Sequence, residues 1–129
     1  MLKTYKNALK LLWALLFSTV FLLIVSNCHT PDIAGGSLRE ESLKDGVYQG
    51  RSRYGPVRVE VEVTVRDNTL ADIELLQHFY GRGRKAEDPV IERILQEQST
   101  EVDAVSGATG SSIAIMNAVE KALQKARED

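Results

Sequence analysis

Cysteine is almost absent from this 129-residue chain. Cys28 is the only one, which excludes an internal disulfide and any zinc or iron–sulfur site built on several cysteines. Histidine is nearly as scarce, and His29 and His78 do not make a metal constellation. Excess positive charge is missing too. The only charged side chains before Cys28 are Lys3, Lys6 and Lys10, so the remainder holds 13 Lys+Arg against 18 Asp+Glu, a net charge of -5. That balance excludes a nucleic-acid binder, whose non-specific affinity comes from neutralising phosphates. No lysine follows the spaced glycines Gly107 and Gly110, which excludes a nucleotide P-loop. Serine-nucleophile chemistry also finds little support: a serine needs a positioned base, and His78, the one histidine downstream of the N-terminal region, has no evident orienting partner.

What is present begins with an apolar run. Residues 11–25 are interrupted only by Ser18 and Thr19 and follow the three lysines, which is the pattern of a secretory signal. Lengthened by a few neighbours, the run also approaches a tilted transmembrane anchor. The basic flank stays cytoplasmic, so either reading leaves the rest of the chain on the extracytoplasmic face of a membrane. Val25-Ser26-Asn27-Cys28 resembles a bacterial lipoprotein box, with Asn27 departing from its usual small residue, and this makes Cys28 the lipidation candidate. Residues 1–27 are therefore expected to be a signal peptide or membrane anchor. Residues 28–44, with Pro31, Gly35, Gly36 and mixed charge, read as a linker.

The domain is expected over residues 45–129. A strand over 47–53 ends at the turn Tyr54-Gly55-Pro56. Val57, Val59, Val61, Val63 and Val65 then alternate with Arg58, Glu60, Glu62 and Thr64, a period of two that buries one face of a second strand. Asp67-Asn68 supplies a turn, and Ala71, Ile73 and Leu75 alternate in a third strand antiparallel to the second. Residues 77–87, with His78, Phe79, Tyr80, two glycines, two arginines and Lys85, read as a connecting loop that is either solvated or turned toward a ligand. Asp88 as N-cap and Pro89 as first residue open a helix with a stripe of Val90, Ile91, Ile94, Leu95 and Gln98. A last helix, from Ser111 or Ser112 to about Arg127, buries Ile115, Ala118, Val119, Ala122, Leu123 and Ala126. The fold class is α+β: a small antiparallel sheet of about three strands packed by two helices and preceded by a hydrophobic signal or anchor helix.

One stretch concentrates small and hydroxyl residues: Asp103-Ala104-Val105-Ser106-Gly107-Ala108-Thr109-Gly110-Ser111-Ser112. It leads straight into the last helix. A helix N-terminus offers unpaired N–H groups and roughly half a positive charge, and so suits phosphate. A loop with a serine N-cap is the plainer reading of the same residues.

The seven residues from Asp103 to Thr109 match the Asp-x-x-Ser-Gly-Ala-Thr pattern of the FMN-binding domain family, which includes subunits of sodium-pumping NADH:quinone reductases and related electron-transfer complexes. The chain resembles small exported members of that family from Asp45-Gly46-Val47-Tyr48 onward: the valine strand, a histidine before a glycine-rich basic loop, Ala86-Glu87, Gln98-Ser99 and the stretch 102–112. The resemblance implies an extracytoplasmic electron carrier whose FMN is joined by a phosphoester to Thr109 by a Mg-dependent flavin transferase. It further implies a membrane-bound redox partner, quinone-linked or of another kind. Around Thr109 it implies a cofactor site of Asp103, Ser106, Gly107, Ala108, Gly110, Ser111 and Ser112, with His78 as the candidate on the opposite wall. Ser106, Ser111 and Ser112 either bond the phosphate or cap backbone. A non-covalent FMN or phosphate-ligand module with a sensory or scaffolding role is the alternative.

Overall fold

A computed structural model describes residues 35–39, 41–79 and 83–128, together with Asn7, Leu9 and Lys10. Those last three are helical, and the rest of the expected signal or anchor segment, with Cys28 and His29, lies outside the described residues. Among the described residues no helix is long and apolar enough to cross a membrane.

Three strands form a meander, β1 (Gly46–Tyr54), β2 (Val57–Arg66) and β3 (Thr69–Phe79), in the order β1-β2-β3 with both pairs antiparallel. Two helices follow, α1 (Glu87–Glu97) and α2 (Thr109–Glu128). The α+β expectation of three strands and two helices is met. Both hairpins turn at the expected residues, with Asp67 and Asn68 at φ 51° and 58° and Gly55 at φ 56°. Primed turns of this kind need positive φ and match the twist of the strands they join.

The valine pattern buries as its period requires. Val59, Val61, Val63 and Val65 are nearly solvent-free and face α2, whose Ile115, Ala118, Val119, Ala122, Leu123 and Ala126 are fully buried. Each Val, Leu or Ile removed from water contributes on the order of 1.5–3 kcal/mol, so this one interface supplies most of the core. Alanines at 114, 118, 122 and 126 recur every fourth residue and let the helix lie close to the sheet. At Gly50 the approach is closest: a β-carbon there would stand 1.9 Å from the Ala118 carbonyl oxygen.

The third strand departs from expectation. It runs from Thr69 through Phe79, well beyond 71–75, so His78 and Phe79 are strand residues and not loop residues. Its ladder with β2 shifts register twice, at Thr64/Val65 and at Glu60/Val61. The first shift leaves Ala71 as an extra, exposed residue and turns Leu70 inward; the second leaves Leu76 unpaired. A bulge reverses which face the following residues occupy. As a result His78 pairs with Val59 on the helix-covered face, while Gln77 and Phe79 pair with Glu60 and Arg58 on the open one.

Helix α1 is entered from a 3-10 turn at Arg84–Ala86, so Ala86 stands at the N-cap. Asp88 is not the cap and Pro89 is third in the helix, a first-turn position where its missing N–H costs nothing. The stripe is as expected, with Val90 and Ile94 fully buried. The helix ends at Gln98 in left-handed geometry, φ 49° and ψ 51°. The Gln98 side chain then acts as a strand partner: its Oε1 accepts from the Leu70 N–H at 3.0 Å and its Nε2 donates to the Leu70 carbonyl at 2.9 Å. Gln98→Leu leaves both groups unpaired beside a buried residue. The expected loss is about 1–3 kcal/mol, read as a lower urea midpoint with an unchanged slope.

Residues from Gly35 onward, expected within a linker, pack against the domain. Leu38 and Leu43 are buried in the core. The Leu38 N–H donates to the Gln98 carbonyl, and the Gly36 carbonyl accepts from the Thr100 N–H and the Ser99 hydroxyl. Thr100, fully buried, donates to Glu120 at 2.8 Å and accepts from the Gly36 N–H at 3.2 Å. Glu120 in turn accepts from Arg127, which also reaches Glu41. Burial works to lower the Arg127 pKa, and its hydrogen bonds and charge contacts with Glu120 and Glu41 outweigh that and raise it.

Candidate functional site

The ten-residue stretch forms the loop between α1 and α2 together with the first turn of α2. Its shape is set by one β-turn, in which the Ala108 N–H donates to the Val105 carbonyl at 2.9 Å. Gly107 sits third in that turn at φ 71°, which suits glycine because a side chain there is strained. The turn delivers Ala108, 5% exposed, to the head of the helix, where its carbonyl accepts from the Ser112 N–H at 2.9 Å. Helix α2 therefore starts at Thr109, three residues earlier than a Ser111 cap would place it.

The four hydroxyls separate into two pairs. Ser112 is fully buried and holds the loop, accepting from the Val105 N–H and donating to the Ala108 carbonyl, each at 3.0 Å. Ser111, 2% exposed, bonds Nε2 of His78 at 3.0 Å. Ser106 and Thr109 are exposed. Thr109, Gly110 and Ser111 make up the first turn, whose N–H groups an α-helix leaves without intrahelical acceptors. Asp103 is exposed, and its carbonyl accepts from Arg93. The Lys85 ammonium lies over the loop, 2.8 Å from where a β-carbon on Gly107 would stand. A cation above, N–H groups below and small residues between them compose a donor set that fits a phosphate monoanion.

His78 was expected to have no orienting partner, and the structure corrects this. Its Nδ1 lies 2.8 Å from Oε1 of Glu87, the first residue of α1, and its side chain is 2% exposed. An ionised Glu87 accepts the Nδ1 proton, which leaves Nε2 to accept from the Ser111 hydroxyl when the imidazole is neutral. The order serine–histidine–glutamate is that of a nucleophile and its base. Here the serine is buried, so the array joins β3, α1 and the head of α2 instead of presenting a reactive oxygen. Glu87 was named in the sequence only as part of the Ala86-Glu87 resemblance and given no role, because nothing local marks it as the residue that the Leu76 bulge turns His78 toward.

Two hairpin residues complete the surroundings. Gly110 packs on Tyr54, with the Gly110 β-carbon position 3.3 Å from the ring and 4.0 Å from Val57. A cavity of about 610 Å³ is lined by Arg53, Pro56, Arg58, Gln77, His78 and Phe79. Its size is that of a site for a small organic molecule. A hollow of about 320 Å³ shares Arg53, Arg58 and Gln77 with it. Of the loop residues that sequence turned toward a ligand, the structure brings His78 and Lys85 to the stretch and puts Phe79 on the cavity wall, while Tyr80 and Arg82 lie outside the described residues.

Comparison with known proteins agrees with this geometry. An "Uncharacterized protein" of Treponema pallidum (strain Nichols) is 34% identical over 85 residues, 64% of this chain and 24% of that protein. The chain thus spans about a quarter of the length of this relative. The FMN-binding domain profile matches residues 54–124, from the Tyr54 hairpin through most of α2, and so encloses the loop, the His78 array and all of the cavity lining except Arg53. By that match the chain belongs to the FMN-binding domain family.

Proposed function

We propose that this protein carries its FMN covalently, through a phosphoester to Thr109, and serves as a membrane-tethered electron carrier on the extracytoplasmic face. The observation that carries the reading is the sorting of hydroxyls in the loop. Ser111 and Ser112 are buried and bonded, whereas Thr109 is exposed on the helix's first turn, two residues after the Gly107 that Lys85 overlies. In the modification, Thr109 Oγ bonds to the FMN phosphorus of FAD, its proton is released and AMP leaves. The resulting phosphodiester keeps one negative charge, which the helix terminus and Lys85 stabilise. A Mg-dependent flavin transferase is the partner for this step. The attached flavin supplies reversible electron transfer, and the protein supplies its position and electrostatics. The flavin exchanges electrons with a membrane-bound, quinone-linked or other reductase. The run at 11–25 and Cys28 provide the tether, as a lipid anchor or an uncleaved helix. Covalent attachment suits that location, because a dissociable cofactor would be lost by diffusion.

The test is the intact mass of the full chain coexpressed with a flavin transferase. The expected result is a gain of one FMN less water, with flavin fluorescence that stays with the chain after denaturation. An unmodified mass with flavin released on unfolding would instead indicate non-covalent binding.

A further inference from the structure

The open face of the sheet is sorted by charge along its strands. Of the rows that cross β1, β2 and β3, one toward the Asp67 turn holds Glu62 and Glu74, and the last, beside the Gly55 turn, holds Arg53, Arg58 and Phe79. Among the described residues neither Arg53 nor Arg58 is in an ion pair, whereas Arg51 is matched to Glu60. Lys121 of α2 joins Arg51, Arg53 and Arg58 around the hollow of about 320 Å³, so four cations stand there against the one carboxylate of Glu60. Phe79 is 67% exposed and Pro56, at the turn, is exposed as well. An apolar group left in water beside unmatched cations marks a surface that meets something else.

We propose that this end of the open face docks on the surface of an anionic phospholipid bilayer, the one to which the chain is tethered. The inference rests on the tether of the proposed function and not on the FMN. Arginine suits headgroup phosphates because its planar fork makes paired hydrogen bonds, and each cation adds to the attraction of a negatively charged leaflet. Phe79 and Pro56 enter the headgroup boundary, and the arginine stems lie along it with their charged ends at the phosphates. Glu62 and Glu74, two rows away, are repelled by the same surface and turn the arginine end toward it. The tether lets weak docking suffice. From Cys28 to Gly35 the chain spans at most about 25 Å, less than the roughly 30 Å width of a domain of this size. The bilayer is thus held at high effective concentration, an advantage that an acidic protein partner lacks. Docking also places the loop: Gly110 packs on Tyr54 and Val57, the register pair next to Arg53 and Arg58, so the head of α2 is kept at the membrane end of the domain, on the opposite face of the sheet.

The test needs a reporter on the row, because the run at 11–25 is expected to carry the chain to any vesicle. Trp13 is the only tryptophan, so Trp13→Phe/Phe79→Trp in the full chain, without flavin, moves the sole tryptophan to the row. The protein is reconstituted into bilayers of phosphatidylcholine, alone or mixed with phosphatidylglycerol, each with and without brominated lipid. In the mixed bilayer the emission is expected to shift to shorter wavelength and to be quenched severalfold by brominated lipid. Adding Arg53→Gln/Arg58→Gln, or raising the salt to about 0.5 M, is expected to return it to the phosphatidylcholine value. Equal emission in the two bilayers would overturn the proposal, and water-like emission in both would leave the row to an acidic protein. An arginine double variant that behaves like its parent would overturn it as well. A chain that does not float with phosphatidylcholine vesicles would overturn the tether alone, and emission in the mixed vesicles would still decide the face.

Discussion

Thr109→Val is expected to abolish the FMN mass increment completely while leaving the fold intact. The substitution keeps the shape and β-branching of the side chain and deletes the one atom that forms the phosphoester. Its structural cost is small. Thr109 is exposed, its hydroxyl makes no hydrogen bond among the described residues, and valine and threonine have similar helix propensity. Intact mass, far-ultraviolet circular dichroism and the thermal midpoint measured together separate loss of attachment from loss of structure. Thr109→Ser keeps the oxygen and is expected to retain the increment. A flavin still bound covalently to Thr109→Val would move the attachment to another hydroxyl, with exposed Ser106 the first to substitute.

Gly50→Val is expected to remove most of the folded stability, although Gly50 is far from the loop in sequence. Any β-carbon at this position meets the Ala118 carbonyl at 1.9 Å and the Ala122 nitrogen at 2.7 Å. Both are backbone atoms of a helix that cannot yield locally. To admit the side chain, α2 must lift from β1 along its alanine face, and the fully buried Ala118, Val119 and Ala122 lose their contacts together. Overpacking alone costs about 1–3 kcal/mol and the lifted interface adds to it, against a typical total of about 5–15 kcal/mol for a domain. Urea unfolding followed by circular dichroism should show a low or absent midpoint. Gly36→Ala, where a β-carbon meets nothing within 4 Å, is the matched control and should unfold as wild type does.

Regular periodicity made much of this fold legible in the sequence. The five alternating valines and the stripe of α2 each repeat with the period of their element, and burial followed both. What escaped was whatever depends on a single residue breaking the period. Ala71 and Leu76 carry no mark of being bulge residues, yet they decide that Leu70 and His78 face inward and that Gln77 and Phe79 face out. Gln98 reads as the last apolar-stripe position, and its two bonds to Leu70 depend on where β3 lies. Leu38 and Leu43 sit among glycine, serine and mixed charge, so composition suggested a solvated tether although both side chains reach the core. Within the loop the stretch itself was legible. Which of its hydroxyls are free was not, because Ser111 is claimed by a histidine 33 residues away.

The strap at Gly36 and Leu38 has a mechanical consequence. A pull transmitted along the chain from upstream of Gly35 first loads the bonds from these residues to Gln98, Ser99 and Thr100. Thr100 passes that load sideways through Glu120 into the middle of α2. The force therefore leaves the chain before it reaches Asp103 and the loop beyond, as a clamp on a cable protects its connector.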